Sequence, residues 1–239
     1  MSVIACVYLI SYLIFIHNQP GSLDGSENSN STWVEWFLSL RGNEFFCEVD
    51  EEYILDRFNL AGLNTEVKYY HQAFELVTDS LEEELDTATW DEVEKSARHL
   101  YGLVHARFIT TSRGLSKMFE KFKATEFGRC PRVLCHNQAV LPIGLVDTCG
   151  SKGVKLYCPR CEDVYSPPSK KHVVVDGAYF GTSLPHLLVQ MFPNISPSKT
   201  SERYVPRIFG FKVHRVAIEQ RKQDQFRDDA ARKLQQFEE

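Results

Sequence analysis

The stretch that decides the fold is CPRVLC at residues 130–135, followed after 22 intervening residues by CPRC at residues 158–161. Each cysteine pair is close enough to make a tight knuckle, and the connection is long enough to bring the two knuckles together as halves of a zinc ribbon. Pro131 and Pro159 follow the first cysteine of each pair and help fix a turn that aims thiolates at one point. Four thiolates, Cys130, Cys135, Cys158 and Cys161, complete a tetrahedron around zinc and leave no open position for water, so the expected site is structural. The chain has seven cysteines, an odd number, and two of them, Cys6 and Cys47, lie far from the rest. That argues for metal in a reducing compartment over a disulfide framework. His136 is the nearby alternative ligand, Cys149 reads as a spare thiol, and Cys47 reads as a core residue.

On the N-terminal side of the knuckles the texture is helical. Asp50 is expected to cap a short helix carrying Ile54, Leu55 and Phe58, and Asn64 a second carrying Val67, Tyr70, Phe74 and Val77. Thr89 and Glu92 form a capping-box pattern ahead of Val93, Ala97, Leu100, Tyr101, Val104 and Phe108, one apolar stripe over five turns. A fourth helix after Ser112 turns Leu115, Met118, Phe119 and Phe122 inward. Past Phe127 short β-type runs appear at 132–134, 154–157, 163–165 and 173–175, broken by Gly and Pro. The last 25 residues form a charged segment with Phe226, Ala230, Leu234 and Phe237 at helical spacing.

The fold class is therefore α+β, an all-helical domain (32–124) followed by a small zinc-ribbon β domain (125–186) and a C-terminal segment and tail (187–239). Residues 1–31 stand apart. Within them 3–16 is almost unbroken apolar sequence, shorter than the roughly 20 residues that span a bilayer and lacking a basic flank, since no Lys or Arg precedes Arg41. Membrane tethering and an extra buried segment both stay open for it.

Charge narrows the function. Residues 31–112 carry 17 acids against 6 bases, and residues 113–171 carry 11 bases against 5 acids. Such a dipole can steer a partner, but the basic surplus falls short of a nucleic-acid-binding tract. Glycine-rich phosphate loop, His-Arg-Asp loop, Asp-Phe-Gly metal site and nucleophile elbow are all missing, which removes the common routes to phosphoryl and acyl transfer. A stand-alone zinc-ribbon adaptor or nucleic-acid-binding module is the alternative to a regulatory protein at this point.

A set of longer blocks is more specific. WVEWF (33–37), RGNEFFCEVD (41–50), LYGLVHAR (100–107), LPIGL (141–145), KLYCPRC (155–161), DGAYFG (176–181) and PRIFGFK (206–212) occur in the order seen in the regulatory beta subunit of casein kinase II. The chain resembles that family from about Trp33 to His214. The resemblance implies a non-catalytic regulator of a serine/threonine kinase that acts in cytoplasm and nucleus. It also implies a homodimer formed through the ribbon, with Pro131, Val133, Val164 and Tyr165 as candidate contacts. Arg207, Phe209, Phe211, Val213 and His214 are the candidate residues for docking catalytic alpha subunits in a two-plus-two tetramer. The acidic stretch Asp79, Glu82, Glu83, Glu84 and Asp86 matches the family's loop for polyamines or basic substrates. Phe209 stands where the family usually has tyrosine, and the apolar start replaces a serine-rich, acid-flanked one.

Overall fold

The computed structural model describes residues 31–83, 85–195, 197, 205 and 207–235. The apolar stretch 3–16, Glu84 and Phe237 lie outside the described residues. Among those described, no helix is long and apolar enough to cross a membrane.

Among the described residues, five helices make the first half: α1 (Trp33–Ser39), α2 (Glu51–Leu55), α3 (Tyr70–Val77), α4 (Thr87–Phe108) and α5 (Ser112–Lys123). Helix α4 is the spine, because the expected stripe from Val93 to Phe108 is buried along its whole length. Helix α3 packs along it. Trp33 and Phe37 stack at 5.2 Å and meet the Tyr101 ring at 5.9 and 5.0 Å. The Tyr101 hydroxyl donates to the Cys47 carbonyl and accepts from the Val49 N–H, both at 3.1 Å, so a buried aromatic pins the extended strand of chain before α2.

The helix starts differ from expectation in instructive ways. Asp50 holds the N-cap position of α2 without a capping bond, because Lys117 draws its carboxylate at 2.7 Å and Arg113 at 3.3 Å. Asn64 lies in a 3-10 turn, and α3 begins at Tyr70 instead. Helix α4 begins two residues before Thr89, and Glu92 binds Lys95 and Lys68 rather than closing a capping box. A true capping box belongs to α1: Thr32 Oγ1 accepts from Glu35 N–H and the Glu35 carboxylate accepts from Thr32 N–H.

The second half holds an antiparallel sheet in the order β1 (Leu141–Ile143), β2 (Lys155–Cys158), β3 (Asp163–Tyr165), with Leu141 opposite Tyr157 and Tyr157 opposite Val164. Residues 132–134 do not form the expected strand; they enter a 3-10 turn, Val133–Cys135. Residues 173–175 likewise close the short helix α6 (Lys170–Val173). The strand absent from the expectation is β1, whose Pro142 is tolerated because β1 is an edge of the sheet. Helix α7 (Leu184–Met191) covers β1 with Leu184 and Leu188, and its exit stacks Phe192 on Phe119 of α5 at 4.1 Å.

One core runs through both halves. At the joint, α4 presents His99, Gly102 and His105 to Tyr179 and Phe180. A Cβ at Gly102 would lie 2.5 Å from the Tyr179 ring, so only glycine lets that ring lie on the helix. His105 Nδ1 sits 2.8 Å from the Tyr179 carbonyl, which can only accept, so Nδ1 carries the proton and Nε2 accepts the Cys47 N–H at 3.2 Å. The ring is neutral and fully used. Burial pushes its pKa down to about 4 from the ordinary 6.5.

A pH dependence follows from that. The unfolded chain takes up this proton near pH 6.5 and the folded chain only near 4, so the neutral ring's contribution is complete above 6.5 and is lost as pH falls toward 4. The stability gap between wild type and His105→Gln, read by urea unfolding, is expected to shrink by about 3 kcal/mol between pH 7 and pH 4. Any thiol protonation affects both proteins alike, so a gap that does not change with pH would contradict the assignment.

After α7 the described chain resumes as a hairpin, β4 (Arg207–Ile208) paired with β5 (Phe211–Lys212), and ends in helix α8 (Arg215–Gln235). The expected tail helix exists, but Phe226 is exposed on it.

Candidate metal centre and docking surfaces

The four predicted cysteines converge. All four Sγ atoms lie within 4.8 Å of one another, with Cys130 to Cys161 at 3.9 Å and Cys135 to Cys158 at 4.0 Å. Metal–sulfur bonds of about 2.3 Å in a tetrahedron give sulfur–sulfur edges of about 3.8 Å, so a cage of this size can hold a metal ion such as zinc. Local backbone explains the convergence. The Cys130 N–H donates to the Gln138 carbonyl and the Glu162 N–H to the Cys158 carbonyl, each at 2.8 Å, closing one loop per pair. The residue after the second cysteine of each pair, His136 at φ +49° and Glu162 at φ +56°, takes the left-handed conformation, so both knuckles turn the same way.

Cys130, Cys135 and Cys158 are buried and Cys161 is half-buried. Burial pushes the Cys135 thiol up to about 11 and drives Cys158 up as well, so without a cation both would stay protonated. Burial also opposes ionisation of Cys161, but the Tyr165 hydroxyl, 3.3 Å from its sulfur, and neighbouring thiols outweigh it and hold the group below the usual range. A cation among four sulfurs removes the penalty on all of them, and Tyr165 supplies the outer hydrogen bond that orients one ligand. Among the described residues these cysteines are the one group of metal-ligating side chains so gathered. His136 and Cys149 are not part of it. Cys47 is buried in the helical half with its thiol pushed up to about 12.

Beside the cage, Pro131 is exposed, Val133 is 87% exposed on the knuckle, and Val164 is partly exposed on edge strand β3. Tyr165 is half-buried and its hydroxyl is committed to Cys161.

The hairpin places the C-terminal candidates. Phe209 and Gly210 form its two-residue turn with φ of +48° and +86°, the signs of a type I′ turn. Phe209 occupies the turn, whereas Phe211 lies in β5 opposite Ile208. A bulky residue in the left-handed region is unusual, and Phe209 is held there at 97% exposure with Phe211 at 80%. Arg207 donates to the Gly210 carbonyl at 3.1 Å and so braces the turn. His214 Nδ1 accepts the Val216 N–H at 3.3 Å at the start of α8, and Val213 is half-buried. Ile208, 59% exposed opposite Phe211, adds to the apolar surface of the hairpin and was missed by sequence reading. The Phe-Gly turn signal would have located it through the hairpin register.

The acidic stretch does not stay together as a free surface. Asp79, at φ +53°, accepts the Trp33 N–H through both oxygens at 2.9 and 3.2 Å, neutralising the start of α1. Asp86 is the N-cap residue of α4, and Glu82 and Glu83 are exposed. Asp79→Ala is expected to cost about 1–2 kcal/mol, measured by urea unfolding, since a charged acceptor is lost from a helix N-terminus. Glu82→Ala, which removes no such contact, serves as the neutral comparison.

Of the 11 bases in residues 113–171, Arg113 and Lys117 pair with acids of the helical half, and Lys121, Lys123 and Arg132 pair with Glu126, Glu120 and Asp163 of the same segment.

The sequence profile described as casein kinase II regulatory subunit matches residues 32–212. Casein kinase II subunit beta of Schizosaccharomyces pombe is 55% identical over 214 residues, covering 90% of this chain and 93% of the relative. Subunit beta-2 of Neurospora crassa is 56% identical over 208 residues, covering 87% and 73%. Subunit beta' of Drosophila melanogaster is 48% identical over 193 residues, covering 80% and 88%. With three quarters of its length matched by the profile and the cysteine cage formed, the chain belongs to the casein kinase II regulatory subunit family.

Proposed function

We propose that this chain is a non-catalytic regulatory subunit that docks catalytic alpha subunits of casein kinase II and tunes their stability, activity and substrate choice. Its segments divide the work. Cys130, Cys135, Cys158 and Cys161 hold a structural zinc, which supplies folding free energy and no reaction step. The ribbon of residues 125–186 pairs with a second copy through Pro131, Val133 and Val164, with Tyr165 tied back to the cage, because exposed valines on a small sheet gain most by burial against a twin. The segment from 187 onward carries the hairpin that grips the kinase with Phe209 and Phe211, flanked by Arg207, Val213 and His214. Two copies so arranged bind two kinases.

The observation that carries this reading is the hairpin itself, a braced turn holding two aromatic rings in water. Exposed aromatics on a preorganised turn are what an interface hot spot needs. Glu82 and Glu83 provide the remaining negative surface for polyamines or basic substrates. We propose that the assembly acts in cytoplasm and nucleus. Co-expression with a catalytic alpha subunit and native mass measurement is expected to give a two-plus-two complex carrying one zinc per regulatory chain. A lone monomer with no kinase bound would overturn the reading.

A further inference from the structure

Another exposed aromatic, Phe58, sits on the helical half, apart from both hairpin and ribbon. It follows α2 in a turn whose backbone is unusually well tied. The Phe58 N–H donates to Asp56 Oδ1 at 2.9 Å, and the next three N–H groups, of Asn59, Leu60 and Ala61, donate to the carbonyls of Asp56, Arg57 and Phe58. From α4, Arg107 Nη1 reaches across to the carbonyls of Asn59 at 2.7 Å and Ala61 at 3.0 Å, and the Asn59 amide holds the Tyr53 carbonyl at 3.1 Å. Leu60 and Leu63 are buried beneath. All this fixes the turn, yet the Phe58 ring at 85% exposure contributes nothing to the core. Exposing a phenyl ring on an already ordered turn forgoes its burial free energy, and the ordering cost of binding is already met.

The surroundings state what the ring would meet. Residues 48–66 carry six acids and one base. At the other end of α2, about 8 Å along its axis, an open cleft of about 650 Å³ is lined by the four acids Glu48, Asp50, Glu51 and Glu52 and by two bases, Lys117, paired with Asp50, and Arg113, paired with Asp50 and Glu52. A second copy would bring the same acidic charge to this face and be repelled there. An apolar knob with a negative border fits a cavity with a positive border.

We propose that the Phe58 turn and the acid-lined cleft at the N-terminal end of α2 form a docking surface for a folded protein that offers an apolar pocket rimmed by lysine and arginine. Leu55, half exposed on the same side of α2 in sequence, widens the apolar centre.

The test places p-benzoyl-phenylalanine at position 58 of the full-length chain, irradiates it in cell extract and maps the cross-linked peptides by mass spectrometry. Cross-links are expected inside apolar pockets bordered by Lys and Arg, with the yield falling at least fivefold when Glu51→Lys and Glu52→Lys are introduced together. The captured protein, once purified, is expected to bind wild type at least tenfold more tightly than Phe58→Ser, a change at an exposed position that leaves zinc content and helix signal unaltered. The proposal is overturned by any of three results: yields no higher than with the same probe at exposed Val174, cross-links only to a second copy, or contacts on surfaces lacking a basic rim.

Discussion

Cys158→Ser, or chelation of the wild-type protein under reducing conditions, is expected to abolish the ribbon and the proposed dimer while most of the helical signal survives. Cys158 is fully buried at the end of β2, and its substitution breaks the one ligand that joins sheet to cage. A structural zinc in such a cage contributes on the order of 10–16 kcal/mol of apparent binding free energy, as much as the whole stability of an ordinary domain. The strands have three or four residues each, too short to hold without it. Helix α4, by contrast, keeps its packing against α3, Trp33 and Phe37. The shared core limits the separation: loss of the ribbon uncovers Phe45, which meets both Phe127 and Phe180, so some destabilisation spreads to the helical half. Metal content, sedimentation and circular dichroism together read the result, and Cys149→Ser, outside the cage, is the matched control. A metal-free protein that stays folded and dimeric would remove the centre from the account.

What could be read in advance was what is encoded locally. Cysteine spacing fixed the cage because two short knuckles need only their own turns to aim four sulfurs. The stripe from Val93 to Phe108 was legible because helical periodicity needs no partner to be visible. The errors share a different cause. Asp79 looked like one carboxylate of an acidic run, but its partner is the Trp33 N–H, 46 residues earlier in the chain. Asp50 looked like a helix cap, but Lys117 and Arg113 on a distant helix compete for it. Strand β1 was hidden by Pro142, which only the sheet order makes acceptable. Gly102 carries no local signal at all, since its reason is the Tyr179 ring packed from the other half. Tertiary partners decide these positions, and a single sequence does not display them.

The hairpin offers the second large effect. Replacing Phe209 and Phe211 together by alanine is expected to weaken binding to the catalytic subunit by about 4 kcal/mol, near a thousandfold, with each single change worth about half. Both rings are in solvent in the free chain, so their loss leaves the core untouched and zinc content and dimerisation unchanged. Phe209 permits a sharper version. Its left-handed turn position before Gly210 is where asparagine is preferred, so Phe209→Asn relieves the backbone and favours the hairpin while deleting the ring. If the ring is an anchor, affinity measured by calorimetry falls about thirtyfold although the turn is better formed. If the hairpin shape alone recruits the kinase, affinity holds or rises. The second outcome would move the contact away from the rings to the backbone edge of β4 and β5, whose two-residue strands could add little by themselves.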